Sequence, residues 1–364
     1  MGTGGILRRP AVPPPVRIRR DVSKLDANDP ILVFFNMAIR EMQSRPLRVA
    51  TSWRYQAAIH DYPINDSTTA VRRNDPRNPD PFANDQDYPL PGDRSTYWRK
   101  CQHGSWFFLS WHRMYLHFFE KIVMRIVAGL PNGPTDWALP YWNYSASPSA
   151  ALLPAPFRNQ TLAQPLPVPL PNGTPDTHNY LWVNERTPNA NAGQPFLDID
   201  PNAGPDTVVE CLKVTPFGIK PPSPLPSFGG PEVVNHPPGT SGSLEQTPHN
   251  NVHSRLGGSG GFMSLFSTAP LDPMFWLHHC NIDRLWEGWV QRQKMLGNLN
   301  RNPNENVGDA TSKTDSKGWL DFAFDFHDAT GAPVRMTSRQ VLNTRAAPLS
   351  YEYEDTSDPF NNAP

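Results

Sequence analysis

The segment DPMFWLHHCNID, residues 272–283, carries the clearest fold signal in this chain. Asp272 can accept a hydrogen bond from the first helical turn, and Pro273 suits the first helical position, so a helix is expected to begin here. Apolar residues at helical spacing continue to about Met295. The segment therefore predicts a long helix that carries His279.

A second helix start precedes a pair of histidines. Thr247 and Pro248 repeat the same signal, with the threonine hydroxyl as the expected cap. His249 and His253 lie four residues apart, which places both rings on one face of the predicted helix. His279 can add a third imidazole to this pair, which makes the three residues a candidate metal site.

The segment HGSWFFLSWHRMYLHFFE supplies a further set of histidines. The apolar pattern of residues 110–129, which overlap this segment, predicts a helix with Ser110 as its N-terminal cap. His103 and His112 lie nine residues apart in this segment, and His60 lies upstream at the end of a shorter predicted helix. The chain thus contains two sets of three histidines.

The ligand type narrows the choice of metal without deciding it. Neutral imidazole binds copper, zinc, iron and nickel. A set without a carboxylate among its probable ligands favours copper or zinc. Three imidazoles suit one copper ion, and two such sites that face each other suit a dicopper centre that binds dioxygen.

Other segments complete the predicted architecture, which is mainly α: a four-helix bundle around a dicopper site, with long Pro-rich loops and a few short β-strands. Helices are also predicted over residues 30–44 and from Thr51, as a cap, to about residue 60. Residues 139–145 are expected to be a short buried segment, and residues 319–326 alternate like a strand.

A single domain is predicted over residues 1–364. It would comprise an N-terminal arm at 1–28, a metal-binding core at 30–295 and a C-terminal segment at 300–364.

Composition excludes several classes of protein. Hydrophobic residues make up 38% of the chain and charged residues 18%, so a core is expected and disorder is not. The net charge of -1 offers no basic surface for nucleic acid or an acidic membrane. No apolar run is long enough for a transmembrane helix, and the N-terminus does not resemble a secretory signal. The compartment stays open: an intracellular chain, a removed leader and export with a partner are all possible.

The chain resembles the tyrosinase and catechol oxidase family, whose type-3 copper centre is shared with molluscan haemocyanins. The first family motif is matched by His103, Phe108, Trp111-His112-Arg113 and Glu120. The second is matched by Asp272-Pro273-Met274-Phe275, His279 and Asp283. The resemblance implies two copper ions per chain. Copper A would be held by His60, His103 and His112, and copper B by His249, His253 and His279.

The resemblance also implies the reaction and its partners. Small-molecule phenols and catechols would react with dioxygen: monophenols would be hydroxylated at the ortho carbon, and o-diphenols oxidised to o-quinones. Glu245 and Asn250 match family positions that polarise a water beside copper B, which favours hydroxylation of monophenols. For Glu245 an alternative is a carboxylate stabilised by the helix N-terminus.

Two further residues are candidates for the substrate pocket. Phe266 lies 13 residues before His279, at an offset where a bulky ring covers copper A in plant catechol oxidases. Such a ring opposes monophenol hydroxylation, whereas Asn250 favours it. Ser254 follows His253 and would leave space at the pocket mouth.

The cysteines fall into two kinds. Cys101 precedes His103 by two residues, and the family resemblance implies a thioether between them, with a plain buried thiol as the alternative. Three cysteines do not form a disulfide framework, and Cys211 and Cys280 are expected to be buried free thiols.

The other histidines are assigned structural or surface roles. His278 is expected to make a structural hydrogen bond, because it lies about 100° around the helix from His279. His117 is expected in the core. Loop-like surroundings predict solvated surface positions for His178, His236 and His327.

The chain termini are expected to meet. Tyr351 and Tyr353 form the Tyr-x-Tyr motif that closes the family's catalytic domain. An N-terminal arginine should stack on it, with Arg20 as the first candidate and Arg19 as the second. Because few residues follow, the chain is interpreted as a short form without a C-terminal shielding domain.

Three alternative functions remain at this point. A catechol oxidase would oxidise only diphenols. An oxygen carrier of haemocyanin type would share the ligands but needs a covering β-rich domain. A zinc hydrolase would need one metal with an open position, and it leaves three histidines unexplained.

Overall fold

The computed structural model describes residues 15–62, 92–197, 203–234, 241–298, 303 and 318–357. The helices are α1 Pro30–Ser44, α2 Trp53–His60, α3 Arg94–Tyr97, α4 Phe108–Ala128, α5 Pro188–Asn191, α6 Pro205–Lys213, α7 Asn250–Gly257, α8 Pro273–Met295 and α9 Gly318–Asp321. The strands are β1 Arg17–Arg19, β2 Gly218–Ile219, β3 Gly230–Pro231, β4 Ala323–His327, β5 Pro333–Thr337 and β6 Tyr351–Tyr353. The predicted fold class, mainly helical with a few short strands, is confirmed.

The centre of the molecule is a helical bundle packed through aromatic side chains. Helix α4 packs against both α1 and α8. Phe119 of α4 stacks on Trp276 of α8 with ring centroids 3.4 Å apart, and Trp53 of α2 lies 6.2 Å from the same tryptophan. All three rings are buried. This packing holds the ends of α2, α4 and α8 close together.

Aspartate side chains cap two helices, and at α8 this confirms the start predicted from Asp272-Pro273. Asp29 accepts a hydrogen bond from the Ile31 backbone N–H at the start of α1. Asp272 does the same for Met274 at the start of α8 and also forms a buried ion pair with Arg186 at 2.6 Å. Each carboxylate satisfies a backbone donor that the first helical turn leaves free.

The predicted caps of two other helices were wrong. Ser52, not Thr51, caps α2, because its side chain accepts from the Tyr55 N–H. Helix α4 begins at Phe108, two residues before the expected start. Ser110 therefore lies inside the helix, where its hydroxyl bonds that of Ser338. Burial of the whole first turn stabilises this helix start without a polar cap.

The predicted threonine cap before α7 was also wrong. Thr247 has extended backbone angles within the wide helical turn Glu245–His249, and no side chain caps α7. Its carbonyl oxygen instead accepts from the Cys211 thiol at 2.9 Å. The segment that carries His249 is thus tied to α6.

The two ends of the described chain meet in a parallel pair of strands, β1 and β6. The guanidinium of Arg19 lies 3.6 Å from the centroid of the Tyr351 ring and 5.6 Å from that of Tyr353. Arg20, the preferred candidate from the sequence, is half-exposed and pairs with Asp29. The strand pairing therefore selects Arg19, and the preference for Arg20 was wrong.

The segment 319–326 is only partly a strand. Its first residues form α9, and the strand β4 begins at Ala323 and pairs with β5 in an antiparallel hairpin. His327 ends β4 and is buried, with its ring 3.9 Å from that of Tyr97. The predicted surface position of His327 was wrong, because the hairpin packs this residue against the aromatic side chains of α2 and α3.

Other predictions about individual residues are confirmed. Residues 139–145 are buried, as are His117, Cys211 and Cys280, and His178 is exposed. His236 lies outside the described residues. Within the described chain, none of the helices combines the length and apolar character that crossing a bilayer requires.

Candidate metal centre

Three histidines from the second half of the chain converge, and we call them group B: His249, His253 and His279. His249 ends the wide turn before α7, His253 lies one helical turn later, and His279 lies on α8. Their ring centroids are 4.5–5.5 Å apart. The rings of His249 and His279 are buried, and that of His253 is partly so.

Three histidines from the first half form group A: His60, His103 and His112. They come from the end of α2, the loop before α4, and α4 itself. Their ring centroids are 5.1–5.7 Å apart. The spacing within group A therefore matches that within group B.

The two groups face each other. The His112 and His279 rings stack with centroids 4.5 Å apart, and the His103 and His249 rings are 5.6 Å apart. Helices α4 and α8 bring the groups together because each carries one histidine of the facing pair. The sequence predicted two sets of three, and the structure places all six in one cluster.

Hydrogen bonds hold four of the six rings in the tautomer that suits a metal ligand. In each case the Nδ1–H donates to an oxygen of the chain: His60 to the Phe266 carbonyl, His112 to the Phe108 carbonyl, His253 to the Met263 carbonyl and His249 to the Asn250 side chain. The Nε2 lone pair is then left to bind a cation.

In group B the Nε2 atoms are the ones left to bind a metal. The Nε2 of His249 is buried and has no hydrogen-bond partner among the described residues. The Nε2 atoms of His253 and His279 face each other at 3.3 Å. Two lone pairs at that distance repel unless a proton or a metal cation lies between them. The residues therefore fit a bound metal ion.

The protonation states of these rings agree with metal binding. Burial lowers the pKa of His253 to about 4, while its bond to Met263 raises it slightly. Burial and the neighbouring rings hold the pKa values of His249 and His279 well below their usual range. These imidazoles are therefore neutral near pH 7, as metal ligation requires.

His278 differs from its predicted role. Its ring is fully buried beside group B, with donor atoms close enough to those of His249, His253 and His279 to share a metal. Neither of its ring nitrogens has a hydrogen-bond partner within the described part of the chain. The predicted structural hydrogen bond is therefore absent there. Helix α8 is buried on all sides from Pro273 to Trp286, so a rotation of 100° still leaves this ring in the core.

Cys101 lies beside group A. Its Sγ and the ring nitrogens of His60 and His103 are all within 4.8 Å of one another. The residue is buried and forms no disulfide, and burial raises the pKa of its thiol. Position and protonation therefore leave a neutral thiol next to His103.

Glu245 connects the two halves of the centre. Its carboxylate oxygens accept the Gly104 N–H at 2.8 and 3.0 Å, and the carboxylate is buried. Gly104 follows His103 of group A, and Glu245 precedes His249 of group B by four residues. Burial raises the pKa of Glu245 to about 8, and the Gly104 N–H offsets this only in part.

This shift predicts a pH effect in the metal-free protein. Glu245 titrates near pH 4.5 in the unfolded chain and near pH 8 when folded, so the folded state holds one more proton between these values. Stability should therefore fall as pH rises through this window and level off above it. Glu245→Gln should remove the part of the pH dependence of stability that Glu245 causes.

The measurement is urea unfolding of metal-free wild type and Glu245→Gln at pH values below, within and above the window. The difference in unfolding free energy between the two proteins should change steadily across it. A constant difference would contradict a proton held by Glu245.

A cavity of about 150 Å³ opens onto both groups. His60, His103, His249 and His253 line its inner end. Asn250, Ser254 and Phe266 line it as well, and all three are exposed. Phe266 holds its ring 4.9 Å from that of His103. The residues assigned to the pocket from the sequence thus border the space in front of the histidines.

Comparison with known proteins identifies the protein family to which this chain belongs. Residues 50–218 and 226–292 match the family model described as the common central domain of tyrosinase. The chain belongs to the tyrosinase family. Residues 314–364 of this tyrosinase-family chain match a second model, described as the polyphenol oxidase middle domain.

Individual relatives agree with the family model. A tyrosinase of Hahella sp. is 33% identical over 343 residues, which cover 93% of this chain and 63% of that protein. The chloroplastic polyphenol oxidase II of Ipomoea batatas is 28% identical over 96% of this chain and 52% of its own length. The tyrosinase-family chain thus spans less than two thirds of either relative.

Solved structures share the fold. The polyphenol oxidase of Grenache (Vitis vinifera) aligns with a TM-score of 0.62 at 22% identity, covering 97% of this chain and 92% of that one. Latent apple tyrosinase aligns with a TM-score of 0.60 at 26% identity, covering 96% and 64%. The helical core of this tyrosinase-family chain is therefore the one found in polyphenol oxidases.

Proposed function

We propose that this chain is a dicopper phenol oxidase that acts on small-molecule phenols and catechols with dioxygen. The observation that carries the proposal is the pairing of two groups of three histidines around one cavity. Group A would hold copper A, and group B would hold copper B. When bound, the copper pair supplies the electron transfer between the substrate and dioxygen.

The chain itself would position the substrate and handle protons. The backbone carbonyls of Phe108, Met263 and Phe266 hold three ligand rings in place, which keeps the metal site preorganised. The Phe266 ring borders the cavity beside His103 and would orient an aromatic substrate by stacking. Burial raises the pKa of Glu245 to about 8 in the metal-free protein, and the positive charge of bound copper ions would lower it, so that the ionised carboxylate could accept a proton near neutral pH.

We further propose that Glu245 and Asn250 together give the enzyme activity on monophenols. A water held between them would be polarised towards hydroxide and would remove the phenol proton. The Nδ1–H of His249 donates to the Asn250 side-chain oxygen, which leaves the amide NH₂ to hold such a water.

A second candidate is a catechol oxidase that acts on diphenols only. The position of Phe266 over the group A rings favours it, because a bulky ring there narrows access. The contact of both Glu245 oxygens with Gly104 also favours it, because a carboxylate so engaged binds water less readily. Oxygen uptake by the copper-loaded chain with a monophenol and then with a catechol separates the two candidates.

Asn250→Gly tests the proposed monophenol activity. Oxygen uptake with a monophenol should fall about 100-fold, which is the low end for a lost proton-transfer partner, while catechol oxidation stays within about threefold. Asn251→Gly is the matched control, because it places the same helix-weakening glycine one residue away. If Asn250→Gly left hydroxylation of monophenols intact, the proposed role of the pair would be wrong.

We also propose a thioether between Cys101 and His103. The thiol and a ring carbon would each lose a hydrogen as the S–C bond forms, with two electrons passing to dioxygen. Mass spectrometry of copper-loaded protein should then find the peptide that joins both residues lighter by two hydrogens. Unchanged mass, with the Cys101 thiol still open to alkylation after unfolding, would contradict the bond.

A further inference from the structure

The cavity in front of the histidines is small enough to restrict the size of the substrate. Its volume of about 150 Å³ is small. A protein cavity of about this size accommodates one benzene ring. Met263, Leu265 and Phe266 line it with apolar side chains, which suits an aromatic ring. A second fused or linked ring would have to remain outside.

Besides the histidines proposed as metal ligands, the polar side chains that line the cavity are all uncharged. Asn250, Ser254 and Ser264 supply them, and no lysine, arginine, aspartate or glutamate lines the cavity in the part of the chain that the structure describes. A carboxylate or an ammonium group on the substrate would lose part of its hydration here without gaining an opposite charge. That loss is unfavourable.

The mouth offers both a donor and an acceptor. The Ser254 hydroxyl donates to the Asn251 carbonyl at 3.1 Å, so its oxygen can accept a hydrogen bond from a ligand. The Asn250 amide oxygen accepts from His249, and its NH₂ has two hydrogens, so it can donate to a ligand as well as to the proposed water. A substrate hydroxyl is both donor and acceptor and matches these two side chains.

We infer that the preferred substrates are single-ring phenols with an uncharged, hydroxyl-bearing substituent opposite the reacting oxygen. Ser254 selects them by accepting a hydrogen bond at the mouth without adding a charge. This inference rests on the proposed function and adds the substrate class to it.

The test compares four catechols that share one reacting head: hydroxyethylcatechol, dihydroxyphenylacetate, dopamine and catechin. With copper-loaded enzyme, kcat/KM for the neutral hydroxyethyl compound should exceed that of each charged compound by about fivefold, mainly through KM. Catechin should be poorer by about tenfold or more, because its further rings do not fit. Equal or higher kcat/KM for a charged compound or for catechin would overturn the inference.

Variants at Ser254 provide a sharper comparison. Ser254→Asp should raise the kcat/KM ratio of dopamine to dihydroxyphenylacetate by about tenfold, and Ser254→Lys should lower it by a similar factor. Ser259→Asp is the matched control, since Ser259 is exposed and does not line the cavity. An equal change in that control would show a general charge effect and refute the role of Ser254.

A binding measurement separates this inference from the proposed function. Zinc-loaded protein holds a metal that does not change its oxidation state, so dissociation constants for tyrosol, hydroxyphenylacetate and tyramine can be measured without turnover. Tyrosol should bind several-fold more tightly than the two charged phenols. If tyrosol is preferred but no catechol is oxidised by the copper form, only the proposed function fails. If all three phenols bind alike, the inference fails, whatever the activity.

Discussion

Replacing His249 with alanine is expected to lower oxidation of catechols and of monophenols by at least about 100-fold. Even the outer partners of metal ligands usually change affinity or activity by about 10–100-fold, and His249 would be a direct ligand. Its buried Nε2 has no hydrogen-bond partner among the described residues, and its ring centroid lies 4.5 Å from that of His253 and 5.6 Å from that of His103. The loss should be accompanied by a fall to about one copper ion per chain.

The measurements are copper content by atomic absorption and oxygen uptake with a catechol. His178→Ala is the control, because this histidine is exposed and its ring lies beside that of Tyr180, away from the proposed ligands. The control should keep full copper content and activity. A His249→Ala protein that retained both copper ions and catechol oxidation would show that group B is not a metal site.

Replacing Arg19 with methionine is expected to destabilise the fold by about 3 kcal/mol, the low end for breaking a buried ion pair, because Arg17 and Arg113 still pair with the two carboxylates that Arg19 contacts. The Arg19 guanidinium is fully buried and lies 3.1 Å from Glu120 and 3.4 Å from Asp283. It also donates to the Tyr353 hydroxyl at 2.8 Å and covers the Tyr351 ring. These contacts join β1 to α4, α8 and β6.

Arg20→Met provides a matched control one residue away. The Arg20 side chain is 39% exposed and pairs with Asp29, so its loss should change stability by about 1 kcal/mol or less. Urea unfolding of the two variants measures the contrast. Similar urea concentrations at the unfolding midpoints of the two variants would mean that the buried ion pairs of Arg19 contribute no more to stability than a surface pair.

Local signals in the sequence were sufficient for much of the helical framework. The Asp272-Pro273 pair predicted the start of α8 correctly, because capping involves only neighbouring residues along the chain. Helical apolar spacing over residues 30–44 predicted α1. The spacing of His249 and His253 predicted a shared face for the same reason. Ser110 failed as a cap because α4 begins two residues before it, and Thr247 failed because its extended backbone lies within a wide helical turn that begins before it.

The site was also partly predictable. The six histidines were identified from their spacing and from the family resemblance, and the structure brings all six together. The proximity of His278 to group B was missed, although its adjacency to His279 was visible in the sequence. A helical wheel places a residue on a face, but it does not tell whether that face is exposed or buried by another element.

The sequence by itself determined the helices that carry the histidines, because helix signals act within a few residues. Only the tertiary structure decided that Arg19 rather than Arg20 meets the tyrosines. Alternate residues of a strand point to opposite sides, so a shift of one residue in the pairing of β1 with β6 would exchange the two arginines. That register depends on contacts between residues more than 300 positions apart, which no local pattern encodes.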